Sequence, residues 1–168
     1  AHRGFSRYTG ILPGENYVVT AVSQDSDGGF FFGTQTGKII KVCPDGNVVY
    51  TVSFPKSKSA AVQTIFADKD GKIWFGTDGG IAILSDGRLF YYTEADGLAD
   101  NNVNDIMQDR EGNMWFVTDR GGVQKMRIGR FKTITLPTTI NAIAEGPDGR
   151  VWLGGDDGLY CFSNFVYE

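Results

Sequence analysis

Short apolar runs recur along this chain about every forty residues, and each leads into the same kind of acidic turn. Six residues before the turn stands a β-branched residue: Val19, Val62, Val103 or Ile140. Three residues before it stands another apolar one: Val22, Ile65, Ile106 or Ile143. Runs this short, rich in Val and Ile and bounded by turn residues, predict strands. The turn reads Asp-x-Asp-Gly or a close variant, and its glycines Gly28, Gly71, Gly112 and Gly149 lie 43, 41 and 37 residues apart. A glycine there supplies the positive φ of a tight hairpin. The second strand carries an aromatic residue at Phe31, Trp74, Trp115 or Trp152. A third strand is predicted over 38–43, 81–84, 123–127 and 159–162, and after a short turn a fourth, as at 88–93. No segment combines helical spacing with caps, so no helix is predicted.

Four antiparallel strands in a unit of about forty residues, repeated, is the layout of a β-propeller blade. A lone blade has two faces to bury, and stacking hides the second-strand aromatic between neighbours. Phe31, Trp74, Trp115 and Trp152 therefore read as structural inter-blade residues, since they recur in every unit. The expected fold is all-β: an arc of about four four-stranded blades in a single propeller domain spanning 1–168. The blades fall at about 17–54, 61–93, 102–136 and 139–168, after an orphan outer strand at 5–9. The last blade begins its own fourth strand near the C-terminus, which favours an arc of a larger ring of about seven blades over a closed ring of four. Open blade edges expose apolar faces, so self-association is expected.

Composition narrows the function. Net charge is −4, and the basic residues are scattered. That opposes a nucleic-acid partner, whose phosphates need a basic face. No apolar run approaches membrane-spanning length. The two cysteines, Cys43 and Cys161, read as small buried hydrophobes. Histidine occurs once, at His2, which excludes a His-dependent triad or a multi-His metal site built from this chain. The acidic turns Asp25/Asp27, Asp68/Asp70 and Asp109/Glu111 invite a calcium reading. Each runs straight into an apolar strand, without the further oxygen ligands such a loop needs. The expectation is a plain side-chain-to-backbone turn, with no metal, no cofactor and no catalytic residues.

The repeats resemble those of the two-component regulator propeller family, over nearly the whole chain. The family pattern joins Asp-x-x-Gly-x-x-Trp-x-Gly-Thr to a Phe/Tyr-rich strand and a Gly-Leu-x-x-Asn linker. The linker stands here as Gly97, Leu98 and Asn101 before Val103, with a looser copy around Ile11 and Asn16. The departures are Phe31 for Trp, Val117 for Gly and Gly146 for Asp. The resemblance implies the sensor region of a hybrid histidine kinase/response regulator of the kind common in gut Bacteroidetes. It also implies a periplasmic or other extracytoplasmic location and a glycan-derived ligand. Remaining blades and downstream signalling domains would be partners in a longer parent. No secretory leader is readable at the N-terminus, so the location rests on the resemblance.

Function is sought where the units differ. In a propeller the fourth-to-first connections share a face with the second-to-third turns. The connections here are 10–17, 54–61, 94–102 and the short 137–139. Variable loops on a rigid scaffold are the usual home of recognition. The candidate ligand-binding residues are Glu15, Asn16, Tyr17, Lys56, Lys58, Asp100, Asn101, Asn102, Arg120 and Asp157. The leading reading is a non-catalytic ligand-sensing module for a small molecule or oligosaccharide. The alternatives are a protein–protein or dimerisation scaffold and, third, a propeller enzyme like streptogramin lyase.

Overall fold

The computed structural model describes residues 17–53, 60–127 and 130–162, the side chains of 49–53 and 127–131 excepted. The described residues form four antiparallel sheets in which strand order follows chain order. The first holds β1 (Val19–Gln24), β2 (Phe30–Thr34), β3 (Lys38–Val42) and β4 (Val48–Ser53). The second holds β5 (Val62–Ala67), β6 (Ile73–Thr77), β7 (Gly80–Ser85) and β8 (Arg88–Tyr92). The third holds β9 (Val103–Gln108), β10 (Met114–Thr118), β11 (Gly122–Arg127) and β12 (Arg130–Ile134). The fourth shows β13 (Ile140–Glu145), β14 (Val151–Gly155) and β15 (Gly158–Phe162) among the described residues. The orphan strand expected at 5–9 and the last strand expected near 165–168 lie outside them. Helical structure among the described residues is one three-residue 3₁₀ turn, Glu94–Asp96, inside a connection.

Each first hairpin turns through a glycine at positive φ, such as Gly71 at 80° and Gly112 at 86°. The turn acid does more than close the turn. Asp68 Oδ1 accepts the backbone N–H groups of Asp70 and Lys72, each at 2.9 Å, and its Oδ2 accepts Trp74 Nε1 at 2.7 Å. Asp109 likewise accepts the backbone N–H of Asn113 and Trp115 Nε1, each at 2.8 Å, and adds Asn113 Nδ2. The Asp-to-Trp spacing of the motif is thus a hydrogen bond across the hairpin. These carboxylates are filled by N–H donors that a cation would have to displace.

The four copies trade partners around this acid in a consistent way. Phe31 has no N–H to give, and there Asp25 instead pairs with Lys41 at 2.5 Å. Lys41 stands opposite Phe31 on β3, its ammonium 5.2 Å from the ring centroid. Ile83 takes the same position opposite Trp74, and Lys125 takes it opposite Trp115. Lys125 Nζ lies 3.2 Å from Asp109 Oδ2, with both side chains about 5% exposed or less. In the fourth sheet Gly146 replaces the acid, and a Cβ built there would sit 3.1 Å from Trp152 Nε1. Gly146→Asp is therefore expected to restore the missing acceptor and stabilise the chain by about 1 kcal/mol. To admit it, the Trp152 ring must shift by a few tenths of an ångström and Asp148 Oδ1, 2.9 Å from that Cβ, must loosen its bond from Arg150 N. Urea unfolding checks this, and a loss of stability would show that the fourth hairpin has no room for the acid.

The sheets stack face to face. Phe31 and Ile39 pack with Val62, Ile65 and Phe75 of the second sheet. Trp74, Ile81 and Ile83 pack with Val103, Ile106 and Phe116 of the third. Trp115, Val117 and Val123 pack with Ile140, Ile143 and Leu153 of the fourth. Phe31, Trp74 and Trp115 are buried, whereas Trp152, with no described sheet beyond it, is only half-buried. Cys161 corrects the expectation of two buried cysteines. It is exposed, because it lies on that uncovered side of the fourth sheet, and Cys43 is half-buried. The glycine of the Gly-Thr pair has a spatial reason: a Cβ on Gly76 would come within 2.6 Å of Thr64 Cγ2 and 3.0 Å of Val103.

Candidate functional site

The first strands β1, β5, β9 and β13 touch one another in sequence along the arc. Each second-to-third turn is tied to the start of its own first strand. Gln35 N donates to Val18 O, Asp78 N to Ala61 O, Asp119 N to Asn102 O and Asp156 N to Thr139 O, at 3.0–3.3 Å. These turns and the fourth-to-first connections therefore share one face, opposite the acidic turns.

Every first strand also carries a β-bulge at its second residue. Val19 and Ala21 pair with consecutive partners and skip Thr20; Gln63, Asn104 and Asn141 are skipped in the same way. A bulge re-aims its side chain out of the ladder, and all four bulged residues are polar. Three of them reach the next sheet. Thr20 Oγ1 donates to Val62 O at 2.5 Å, Asn104 Nδ2 to Ile140 O at 2.9 Å, and Gln63 Nε2 to Asn102 Oδ1. Asn141 bonds instead to Asp156 in its own sheet, at 2.7 Å.

The connection 94–102 is built from the inside. Leu98 is buried in the core between the second and third sheets. Gln124, itself buried, accepts from Ala99 N at 2.8 Å and donates to Gly97 O at 3.2 Å. Asn101 Oδ1 accepts from Glu94 N at 2.9 Å, and Asn101 O accepts from Gly80 N at 2.7 Å. Asp100 is buried and accepts from Arg120 N at 2.8 Å and Asn102 N at 3.1 Å. Its carboxylate also lies 3.6 Å from Arg120 Nε, while the Arg120 side chain is 84% exposed.

The predicted site residues thus separate. Asp100, Asn101, Asn102 and Arg120 come together at the junction of the second and third sheets. Asp100 and Asn101 are spent on holding the connection and Asn102 Oδ1 on Gln63, so Arg120 is the member whose side chain faces solvent. Asp157 lies on the fourth sheet, where its carboxylate accepts the Tyr160 hydroxyl at 2.8 Å. That bond, with a second from Thr138, holds its carboxyl below the usual range. Tyr17 lies on the first sheet, its hydroxyl accepting from Lys38 Nζ at 2.8 Å. Glu15, Asn16, Lys56 and Lys58 lie outside the described residues.

Sequence reasoning missed Gln63, Asn104, Asn141 and Asp105. Asp105 joins three sheets. Its Oδ1 accepts from Thr64 Oγ1 at 3.1 Å, and its Oδ2 accepts from Ile143 N at 3.1 Å. The signal was present as a polar residue just after each β-branched strand start, and as one acid where the other units have Ala21, Thr64 and Ala142. Two recesses between sheets open on the opposite face. One, of about 320 Å³, is lined by Asp68, Trp74, Gln108, Glu111 and Met126. The other, of about 240 Å³, is lined by Phe31, Lys41, Leu84 and Asp86. Their acids and aromatics belong largely to the hairpin locks described above.

Comparison with known proteins follows the repeats. The family model described as two component regulator propeller matches residues 57–79, 97–120 and 136–157. A solved extracellular domain of a hybrid two component system from B. thetaiotaomicron shares the fold at TM-score 0.77 and 28% identity. That match covers 88% of this chain and 22% of the other. A virginiamycin B lyase from Staphylococcus aureus, in a catalytically inactive form with quinupristin, matches at TM-score 0.74 and 19% identity. It covers 91% of this chain and 58% of the lyase. The computationally designed Ika4 protein matches at TM-score 0.70 and 16% identity, over 90% of this chain and 94% of its own. The chain thus spans less than a quarter of the two-component relative and just over half of the lyase. No curated protein matches it by sequence.

Proposed function

We propose that this chain, built on two-component regulator propeller repeats, is an extracytoplasmic sensor module that binds a polyhydroxylated, glycan-derived ligand without transforming it. The observation that carries the proposal is the junction of the second and third sheets. There the Arg120 guanidinium is held near its Nε by buried Asp100 and otherwise open to solvent. At the same junction the Gln63 amide donates to Asn102 Oδ1, while Asn104 is held by the Ile140 carbonyl. With that bond made, Asn102 Nδ2 is left as a donor and Gln63 Oε1 as an acceptor for sugar hydroxyls, and a guanidinium fork suits a carboxylate or two neighbouring oxygens. The site is pre-formed, because Asp100 and Asn102 are already fixed by the connection, and a pre-formed site avoids the cost of ordering on binding. The extracellular placement of the two-component relative supports the location. Among the described residues no helix is long and apolar enough to cross a membrane.

The test is calorimetric titration of the chain with neutral and acidic oligosaccharide fragments. Arg120→Ala is expected to weaken binding about 10- to 100-fold, the loss of a charged hydrogen bond, with thermal stability unchanged. Binding unaltered in this variant sinks the site. No binding of any fragment, alongside capture of a defined protein partner, favours the scaffold reading. Turnover of quinupristin would favour the lyase reading, for which the likeness in fold is the support.

A further inference from the structure

All three methionines of the chain, Met107, Met114 and Met126, lie on the third sheet, and two of them meet at one recess. Met114 on β10 stands opposite Met126 on β11 in the ladder. The matching pairs in the other sheets are Phe30 with Val42, Ile73 with Leu84 and Val151 with Phe162. The position takes an apolar side chain in every sheet, and the third sheet alone fills it with sulfur.

The three thioethers differ in access. Met114 is 4% exposed, and Met107 is 8% exposed within the core between the third and fourth sheets. Met126 is half-buried and packs from the edge against the core that holds Trp74, Ile83 and Phe116. With Met114, Trp74 and Gln108 it lines the recess of about 320 Å³ between the second and third sheets, on the face opposite Arg120. A space of that size holds several molecules as small as water or hydrogen peroxide. The second and fourth sheets both flank the third, so this access belongs to a junction whose two sides are in place.

We infer that Met126 is a modification site, a thioether that hydrogen peroxide entering the recess converts to the sulfoxide. A sulfur lone pair attacks one peroxide oxygen, and the O–O bond breaks as the S–O bond forms. The proton on the transferred oxygen passes to the departing hydroxide, which leaves as water. Sulfur is oxidised by two electrons and the peroxide is reduced by two. The product is a polar side chain where an apolar one stood. Ile83 and Phe116 offer no donor to the new oxygen, and the Trp74 N–H is already given to Asp68. A buried acceptor without a donor is costly, so the modified side chain turns out into the recess and leaves its place in the junction unfilled. Met114, its cross-strand neighbour at the same recess, is then the second sulfur to react.

Peptide mass mapping of the folded chain during treatment with hydrogen peroxide tests this. Met126 is expected to gain oxygen about tenfold faster than Met107 and Met114, and the three should react alike in urea, where burial no longer separates them. Complete conversion of Met126 is expected to lower the thermal midpoint by about 3–6 °C. Met126→Leu copies Leu84 of the second sheet, a swap of similar volume that cores tolerate. Its midpoint should hold under the same dose of peroxide, and its Met114 should react more slowly than in the parent chain. Met107 or Met114 reacting as fast as Met126 in the folded chain overturns the inference. So does a midpoint indifferent to the Met126 sulfoxide, or a Met126→Leu chain that loses as much under peroxide as the parent.

Discussion

Asp109→Ala is expected to cost about 3–5 kcal/mol of folding stability, the penalty for breaking a buried ion pair from one side. The substitution removes the acceptor for Trp115 Nε1 and for Asn113. It also leaves the Lys125 ammonium, 5% exposed and 4.8 Å from the Trp115 ring centroid, without the Asp109 carboxylate. The reverse deletion should be mild. Lys125→Ile leaves Asp109 with its Trp115 and Asn113 donors, the arrangement that Asp68 already has beside Ile83 in the second sheet. Its expected cost is below about 1 kcal/mol, because an apolar residue of similar volume replaces a buried charge. The double variant should then be more stable than Asp109→Ala alone. Urea unfolding of the three variants decides this, and equal costs for the two single changes would refute the account.

The same acid sets a pH dependence. Burial alone would raise the Asp109 pKa, but the bonds from Trp115, Asn113 and Lys125 outweigh it and hold the carboxyl below its ordinary value. A carboxyl lowered on folding contributes stability that is present above its unfolded pKa of about 3.9. That contribution is lost as pH falls through the folded value. The chain should therefore lose stability below about pH 4, and Asp109→Ala should lose less over the same acid range. Parallel acid profiles for the two proteins would remove Asp109 from the explanation.

Phe116→Ala is the second large effect, at about 3–5 kcal/mol for a fully buried aromatic. Phe116 is 0% exposed and packs across the sheet boundary on Trp74, with ring centroids 5.7 Å apart. Its removal opens a cavity between the second and third sheets that their strands, locked by backbone ladders, can fill only in part. A double-mutant cycle with Trp74→Ala should return a coupling of about 0.5–1.5 kcal/mol, typical of an aromatic pair in contact. Phe90→Ala is the control: that ring is 48% exposed on an outer strand, and its loss should stay within about 0.5 kcal/mol. A cost for Phe116→Ala no larger than the control's would mean that the sheets do not depend on each other through this contact.

Much of this was legible before any coordinates. The strand positions follow from apolar residues at Val62 and Ile65 and their counterparts, because a half-buried strand must repeat its apolar side. The hairpins follow from Gly71 and its counterparts, because few other residues adopt a positive φ. The face that carries the proposed site was legible in outline, since the connections differ among units. Its members were not. Asp100 and Asn101 look like free polar loop residues in the sequence, yet they close the connection internally. Gln63, Asn104 and Asn141 look like ordinary strand residues, yet a bulge turns each out of the ladder.

The amino-acid sequence by itself determined the repeat, the four-strand unit and the identity of the residues between sheets, because these depend on local periodicity and turn chemistry. The tertiary structure alone decided that the turn acid bonds the tryptophan, that Lys125 is buried beside it, and that Arg120 stands exposed over Asp100. It also decided that Leu159 and Val22, whose counterparts Val123 and Ile65 are buried, lie open to water. These properties depend on which surface a neighbouring sheet covers, and no local pattern encodes the presence of a neighbour.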